Sequence, residues 1–207
     1  MIRSFIAALA LAAPLTFAAA APGLAQEGGS DAARAASEAA AEFGPAVGER
    51  APVTVFTTAS GETASLADLS GPNGVVIYFN RSLDWCPICL RQALDVNAAS
   101  DQFAEAGWGV AVLTYDDAAT LAQVADRREI AFALLPDPDI AVIDAFGVRD
   151  PIYADPGHMA HGVPYPIAFA IRPDGVIAGK FWHEAGLGQQ RGYAVRVTVE
   201  DVLGALD

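Results

Sequence analysis

From Val47 to the C-terminus, apolar positions fall either in short unbroken runs or at spacings of three to four, the pattern of a layered sheet with helices on its faces. The runs Val75-Val76-Ile77-Tyr78-Phe79, Val110 to Thr114 and Ile167 to Ile171 read as buried strands, and a further apolar run, Phe132-Ala133-Leu134-Leu135, lies between the last two. Helical spacing covers Cys86 to Ala106, with Leu90, Leu94, Val96 and Phe103 among its apolar positions. Further helices are predicted at Ala118 to Arg128, Ile140 to Phe146 and Val199 to Leu206. Two hairpins complete the pattern: Val53 to Thr57 with Glu62 to Ala64 around Ser60-Gly61, and a reversal at Pro173-Asp174-Gly175 into Val176 to Phe181. The predicted class is α/β: a central mixed β-sheet flanked by helices, with an N-terminal β-hairpin extension.

Upstream of Val47 the pattern changes twice. Residues 1–25 carry one charge, Arg3, followed by apolar runs and the small-residue stretch Gly23-Leu24-Ala25, which reads as a signal peptide. A retained membrane anchor is the competing reading, but Pro14 and Pro22 interrupt the segment, so no stable span is expected after cleavage. Residues 26–46 form an Ala-rich linker, and 47–207 form the globular domain. The expected destination is periplasmic or otherwise exported, where a dithiol can act in an oxidising compartment.

Composition narrows the function classes. With 53% hydrophobic and 18% charged residues the chain is not disordered in general, and 12 Lys+Arg against 25 Asp+Glu give a net charge of -13. That charge excludes nucleic acid as the main partner, because phosphates would meet like charge over most of the surface. The two cysteines, Cys86 and Cys89, exclude a dense disulfide framework and a four-cysteine zinc site.

The chemistry concentrates in Trp85-Cys86-Pro87-Ile88-Cys89, where a predicted strand gives way to a predicted helix. Two randomly placed cysteines would fall three apart in only about 1% of arrangements, so the spacing carries information. A Cys-x-x-Cys at a helix start sets its first sulfur beside unpaired N–H groups and the positive dipole end, which favour thiolate. Pro87 suits the first helical position, which needs no N–H donor. Cys86 is thus the attacking sulfur and Cys89, one turn on, the resolving one. An inert staple is the structural alternative, poorly rewarded because so short a loop removes little chain entropy. A metallochaperone is the non-enzyme alternative: Cys86 and Cys89 would bind copper with His158, Met159 or His161 from a Gly/Pro-rich loop. Arg81 and Arg91 flank the motif as candidates for thiolate stabilisation. Asp116 and Asp117 are expected to cap the helix after the second central strand.

From Val47 to about Lys180 the chain resembles the thioredoxin-like redoxins, and within them the alkyl hydroperoxide reductase and thiol-specific antioxidant family. The resemblance rests on Val47-Gly48-Glu49-Arg50-Ala51-Pro52, Ser65-Leu66-Ala67-Asp68-Leu69, the strand ending at Phe79, the Trp-Cys-Pro-x-Cys centre, Leu134-Leu135-Pro136-Asp137-Pro138, Phe146-Gly147-Val148, and Pro166 to Ile171 before Asp174-Gly175. It implies a thioredoxin-like fold and a redox enzyme that needs no cofactor beyond its dithiol. Pro166 would match the family's cis-proline, with Tyr165 before it offering backbone hydrogen bonds to a bound chain. Two positions depart from the peroxiredoxin pattern. Phe79 and Leu83 stand where a proline and a hydroxyl residue precede the peroxidatic cysteine, and Tyr78 stands in place of thioredoxin's buried carboxylate. These departures put protein thiol–disulfide exchange first and peroxide reduction second, with the electron donor left open.

Overall fold

The computed structural model describes residues 42–206, all within the compact unit 37–207. The expected signal peptide and most of the linker lie outside the described residues. In chain order the elements are β1 (Val55–Thr57), β2 (Thr63–Ser65), α1 (Leu66–Leu69), β3 (Gly74–Phe79), α2 (Pro87–Ala98), α3 (Ser100–Glu105) and β4 (Trp108–Thr114). They continue with α4 (Ala118–Arg128), β5 (Ala133–Pro136), α5 (Ala141–Ala145), β6 (Ile167–Ile171), β7 (Ile177–Trp182) and α6 (Val199–Gly204).

β3 is apolar on both faces and every residue in it is buried, so it occupies the centre of the sheet. The five-stranded order is β5-β4-β3-β6-β7. β3 pairs in parallel with β4, setting Val76 opposite Val110, and antiparallel with β6, setting Ile77 opposite Phe169. Because successive side chains alternate, Val76 and Tyr78 join one core with α2, α3, α4 and α6, while Val75, Ile77 and Phe79 join the other with α1 and α5. This is the thioredoxin-like α/β arrangement expected, with the β1–β2 hairpin as a separate two-stranded sheet. Among the described residues no helix is long and apolar enough to cross a membrane.

Three differences from the expected elements have local causes. The long helix expected from Cys86 to Ala106 is two helices: Ala99 leaves helical geometry at φ -105°, ψ 8°. Just before that break, the Asn97 side chain donates to Glu129 O (3.1 Å) and accepts from Ala131 N (2.9 Å), and Ser100 Oγ turns back to Asn97 O. Asp117 caps α4 by accepting from Thr120 N at 2.7 Å, but Asp116 points away from that helix toward the loop after β3. The packed chain also begins upstream of Val47, inside the segment assigned to the linker. Phe43 stacks on Trp182 at 5.1 Å and meets Tyr165 edge-on at 6.0 Å, an anchor of the bulky apolar kind that the preceding alanines lack.

Candidate redox site

The site begins where β3 runs out. Asn80 N continues the ladder by donating to Leu113 O at 2.8 Å, after which residues 81–85 form a turn held by side chains. Ser82 Oγ accepts from Asp84 N (3.0 Å) and Trp85 N (3.2 Å), while Asp116 Oδ2 accepts from Leu83 N (2.8 Å) and Thr114 Oγ1 (2.9 Å). Burial pushes the Asp116 carboxyl above its ordinary range, and these hydrogen bonds pull part of that shift back. Trp85 is pinned by its Nε1–H, which donates to Tyr115 Oη at 2.8 Å. This scaffold delivers Cys86 to the N-cap of α2.

There the sequence-derived geometry holds. Cys86 has extended backbone angles, Pro87 occupies the first turn, and Cys86 Sγ accepts from Cys89 N at 3.4 Å. Cys86 and Cys89 are disulfide-bonded, with Cα atoms 5.3 Å apart. Cys86 keeps 3% of its surface exposed and Cys89 none, so both sulfurs sit at the edge of the core rather than on the surface.

The arginine beside the pair is one the motif did not indicate. Arg196, from the segment before α6, places Nη2 3.2 Å from Cys89 Sγ, and its Nη1 donates to Asn80 Oδ1 and to Gln92 Oε1 (3.0 Å). Burial and the Arg81 charge together bring Arg196 down to about 10. A separation of 107 residues from Cys89 hides the contact from any local motif. The available signal was a single arginine inside Ala194-Val195-Arg196-Val197 of an acidic protein.

The flanking arginines behave differently from expectation. Arg81 is buried at 4% exposure, but its guanidinium lies over the rings of Tyr193 (3.9 Å), Tyr153 (4.6 Å) and Trp85 (5.0 Å). It makes no hydrogen bond to either sulfur among the described residues. Arg91 is exposed on α2 and makes none either; it lines a groove of about 450 Å³ between α2 and the C-terminal segment.

Tyr165 and Pro166 also require correction. Among the described residues there is no cis peptide bond, so Pro166 is trans. It enters β6 one residue before Ile167, which pairs with Phe79 at the end of β3. Tyr165 N is not free for a bound chain, because it donates to Val148 O at 2.8 Å, which holds the approach to β6 extended. The Tyr165 ring is buried and its hydroxyl donates to His183 O (2.8 Å), with Gly192 O at 3.3 Å. Tyr165 therefore props the C-terminal segment that carries Arg196. Tyr78 Oη is buried without a hydrogen-bond partner among the described residues, and burial pushes the phenol well above its ordinary range, so it is no ready proton acceptor.

His158 and His161 stay with their own loop: His158 Nδ1 accepts from Ala160 N at 3.0 Å and His161 Nδ1 lies 3.2 Å from Tyr153 O. Among the described residues no three His, Cys, Asp or Glu side chains gather in a metal-binding group. The ligand set of the metallochaperone reading is therefore not assembled.

The pattern of the AhpC/TSA family matches residues 47–180. The chain belongs to the AhpC/TSA family. Among curated relatives, the Mycobacterium tuberculosis protein named "Putative peroxiredoxin Rv2521" is 35% identical over 100 residues, covering 48% of this chain and 62% of that protein. Among solved structures, Peroxidoxin BcpB from Mycobacterium tuberculosis superposes with a TM-score of 0.60 at 19% identity, over 77% of this chain and 95% of its own. Reduced Prx3 from Vibrio vulnificus, solved in complex with hydrogen peroxide, gives 0.63 at 17% identity over 79% and 99%. At these identities the structural likeness establishes the fold. Arg196 lies beyond the matched family segment, and Phe79 and Leu83 are core residues of this AhpC/TSA chain.

Proposed function

We propose that this AhpC/TSA protein is a thiol-dependent peroxidase that cycles Cys86 and Cys89 between dithiol and disulfide. The observation that carries the reading is the burial of both sulfurs at the start of α2, with Cys86 alone retaining any exposure. A hydroperoxide presents two small oxygen atoms to such a sulfur, whereas a folded protein disulfide must bring its flanking chain into line with the attack. Burial thus favours the small oxidant. The peroxiredoxin names of the relatives point the same way.

In the oxidative half-reaction the Cys86 thiolate attacks the nearer peroxide oxygen. The O–O bond breaks and an alcohol or water leaves after taking a proton. Cys86 becomes a sulfenic acid, and Cys89 sulfur then displaces its hydroxyl as water to form the disulfide. The N–H groups at the start of α2 hold Cys86 as thiolate for the first step. Two electrons and two protons from a thiol reductant restore the pair. Peroxide consumption with dithiothreitol as reductant tests the reading: turnover should vanish in Cys86→Ser, and equal turnover in that variant would reject it.

Protein thiol–disulfide exchange is the second reading, and Phe79 and Leu83 favour it. Both are buried, and they supply neither the proline nor the hydroxyl that the peroxiredoxin pattern sets before the cysteine. Export is part of the proposal and rests on the apolar segment 1–25. N-terminal sequencing of the protein from its native host should begin near Gln26; an intact Met1 would reject cleavage there.

A further inference from the structure

The buried end of β3 carries more positive charge than its surroundings neutralise. Arg81 and Arg196 lie close enough for the Arg81 charge to depress Arg196, yet neither has a carboxylate within ion-pair distance among the described residues. The Arg81 charge draws the Asp150 carboxyl down, but burial outweighs it and pushes that carboxyl up, and among the described residues its Oδ2 has no hydrogen-bond partner. Tyr165 and Tyr193 are the titratable groups that favour the Arg196 charge, and both are phenols. The Nε atoms of both arginines and Asn80 Nδ2 are buried donors without partners among the described residues. What Arg196 does hold is neutral: Asn80 Oδ1, Gln92 Oε1 and Cys89 Sγ. A buried cation surrounded by neutral acceptors is costly, and a disulfide sulfur is a weak acceptor. A thiolate at Cys89 would supply the missing counter-charge.

We propose that Arg196 is a catalytic residue of the reductive half-reaction, holding Cys89 Sγ as the leaving thiolate. The inference rests on the cycling of Cys86 and Cys89. A thiolate of a dithiol reductant attacks Cys86, the only one of the two with exposure. A bond forms between the reductant sulfur and Cys86 Sγ as the Cys86–Cys89 bond breaks, and its electron pair leaves on Cys89 Sγ. The reductant's second thiol, losing its proton, then attacks its own mixed-disulfide sulfur. The reductant leaves as a cyclic disulfide and Cys86 as thiolate. The contact with Arg196 is already made in the disulfide, and it becomes an ion pair once Cys89 is charged, so it favours the departing state over the disulfide. Two consequences follow: the pair is a stronger oxidant than the same dithiol without Arg196, and Cys89 as well as Cys86 has thiolate character.

Equilibrium with glutathione buffers, together with the rate of reduction by dithiothreitol, tests this on wild type, Arg196→Gln, Arg196→Lys and Asp117→Ala. Arg196→Gln should make the disulfide about tenfold harder to reduce, equivalent to about 30 mV, and slow its reduction by dithiothreitol similarly. Arg196→Lys should recover most of the effect, because the charge remains although the planar fork is lost. Asp117→Ala removes a distant helix cap and should change stability without moving the equilibrium. Equal equilibrium constants for wild type and Arg196→Gln would overturn the proposal while leaving the cycling pair intact. A wild-type disulfide that exchanges with neither thiol would overturn both. Should Arg196→Gln not fold, thiolate absorbance of Cys89 in Cys86→Ser decides. Burial alone drives a thiol above its ordinary value of about 8.5, so a midpoint below that value supports the Arg196 pairing and one above overturns it.

Discussion

The first turn of α2 and the segment 183–198 both bring positive electrostatics to one disulfide, by different means. At Cys86 the field comes from backbone N–H groups and the helix dipole, with Pro87 and Cys89 N within three residues. At Cys89 it comes from a formal charge on a long side chain, aimed by a segment held by tertiary hydrogen bonds and close backbone packing. That segment is fixed where Gly186 and Gly192 approach closely, since a Cβ on either would strike the other's backbone or Tyr165, and where Tyr165 Oη reaches His183 O. The dipole at Cys86 survives any change that leaves α2 in place. The charge at Cys89 can be lost through a residue that never touches sulfur.

The largest effect should come from removing one sulfur at a time. Cys86→Ser should abolish peroxide turnover. Cys89→Ser should still consume about one equivalent of peroxide per chain, stopping at a Cys86 sulfenic acid detectable by mass spectrometry. If Cys89→Ser fails to react while Cys86→Ser reacts, the roles of the two sulfurs are reversed.

Next is the C-terminal lever. Gly192→Ala forces a methyl onto Gly186 O and should cost about 1–3 kcal/mol in chemical denaturation, the range for overpacking. It should also slow dithiothreitol reduction while leaving the Cys86 N-cap intact. An unchanged reduction rate in a destabilised variant would show that the segment does not aim Arg196.

The contrast between the two regions also explains what could be read from sequence. The Cys-x-x-Cys spacing, Pro87 at the helix start and the all-apolar β3 are local, and local geometry carries them into the fold. Arg196, Tyr193 and the inward turn of Asp116 depend on tertiary approach. A lone arginine between valines gives no hint of the sulfur it will meet, and Asp116 differs from its neighbour Asp117 only in pointing toward Leu83. Pro166 shows the opposite failure: its position before an apolar strand matched a family feature, yet Tyr165 N is already bonded to Val148 O and the peptide is trans.

Smaller effects lie away from the sulfurs. Asp117→Ala should lower the thermal midpoint by about 2 to 4 °C, as for a lost helix cap in a domain of this size, and leave the reduction rate unchanged. Asp116, Asp137 and Asp150 have carboxyls raised by burial, so each favours the fold fully below the unfolded value of 3.8 and loses that contribution as pH rises through its folded value. Asp68, Asp117, Asp144 and Asp201 are lowered by hydrogen bonds, so their contribution is lost as pH falls below 3.8 through their folded values. Stability should therefore rise on mild acidification from neutral pH and then fall in stronger acid. Asp116→Asn, which can keep an acceptor for Leu83 N and Thr114 Oγ1, should flatten the rising limb. A limb unchanged in that variant would assign the dependence to the other acids.

The most direct test is stopped-flow tryptophan fluorescence of the reduced protein, with Trp85 beside the reacting pair as reporter. Hydrogen peroxide and a folded protein disulfide are compared at equal concentration. Peroxide should oxidise the pair at least about tenfold faster, and Cys86→Ser should lose the peroxide signal. A protein disulfide that reacts faster than peroxide would contradict the assignment and make this AhpC/TSA protein a thiol–disulfide exchange enzyme.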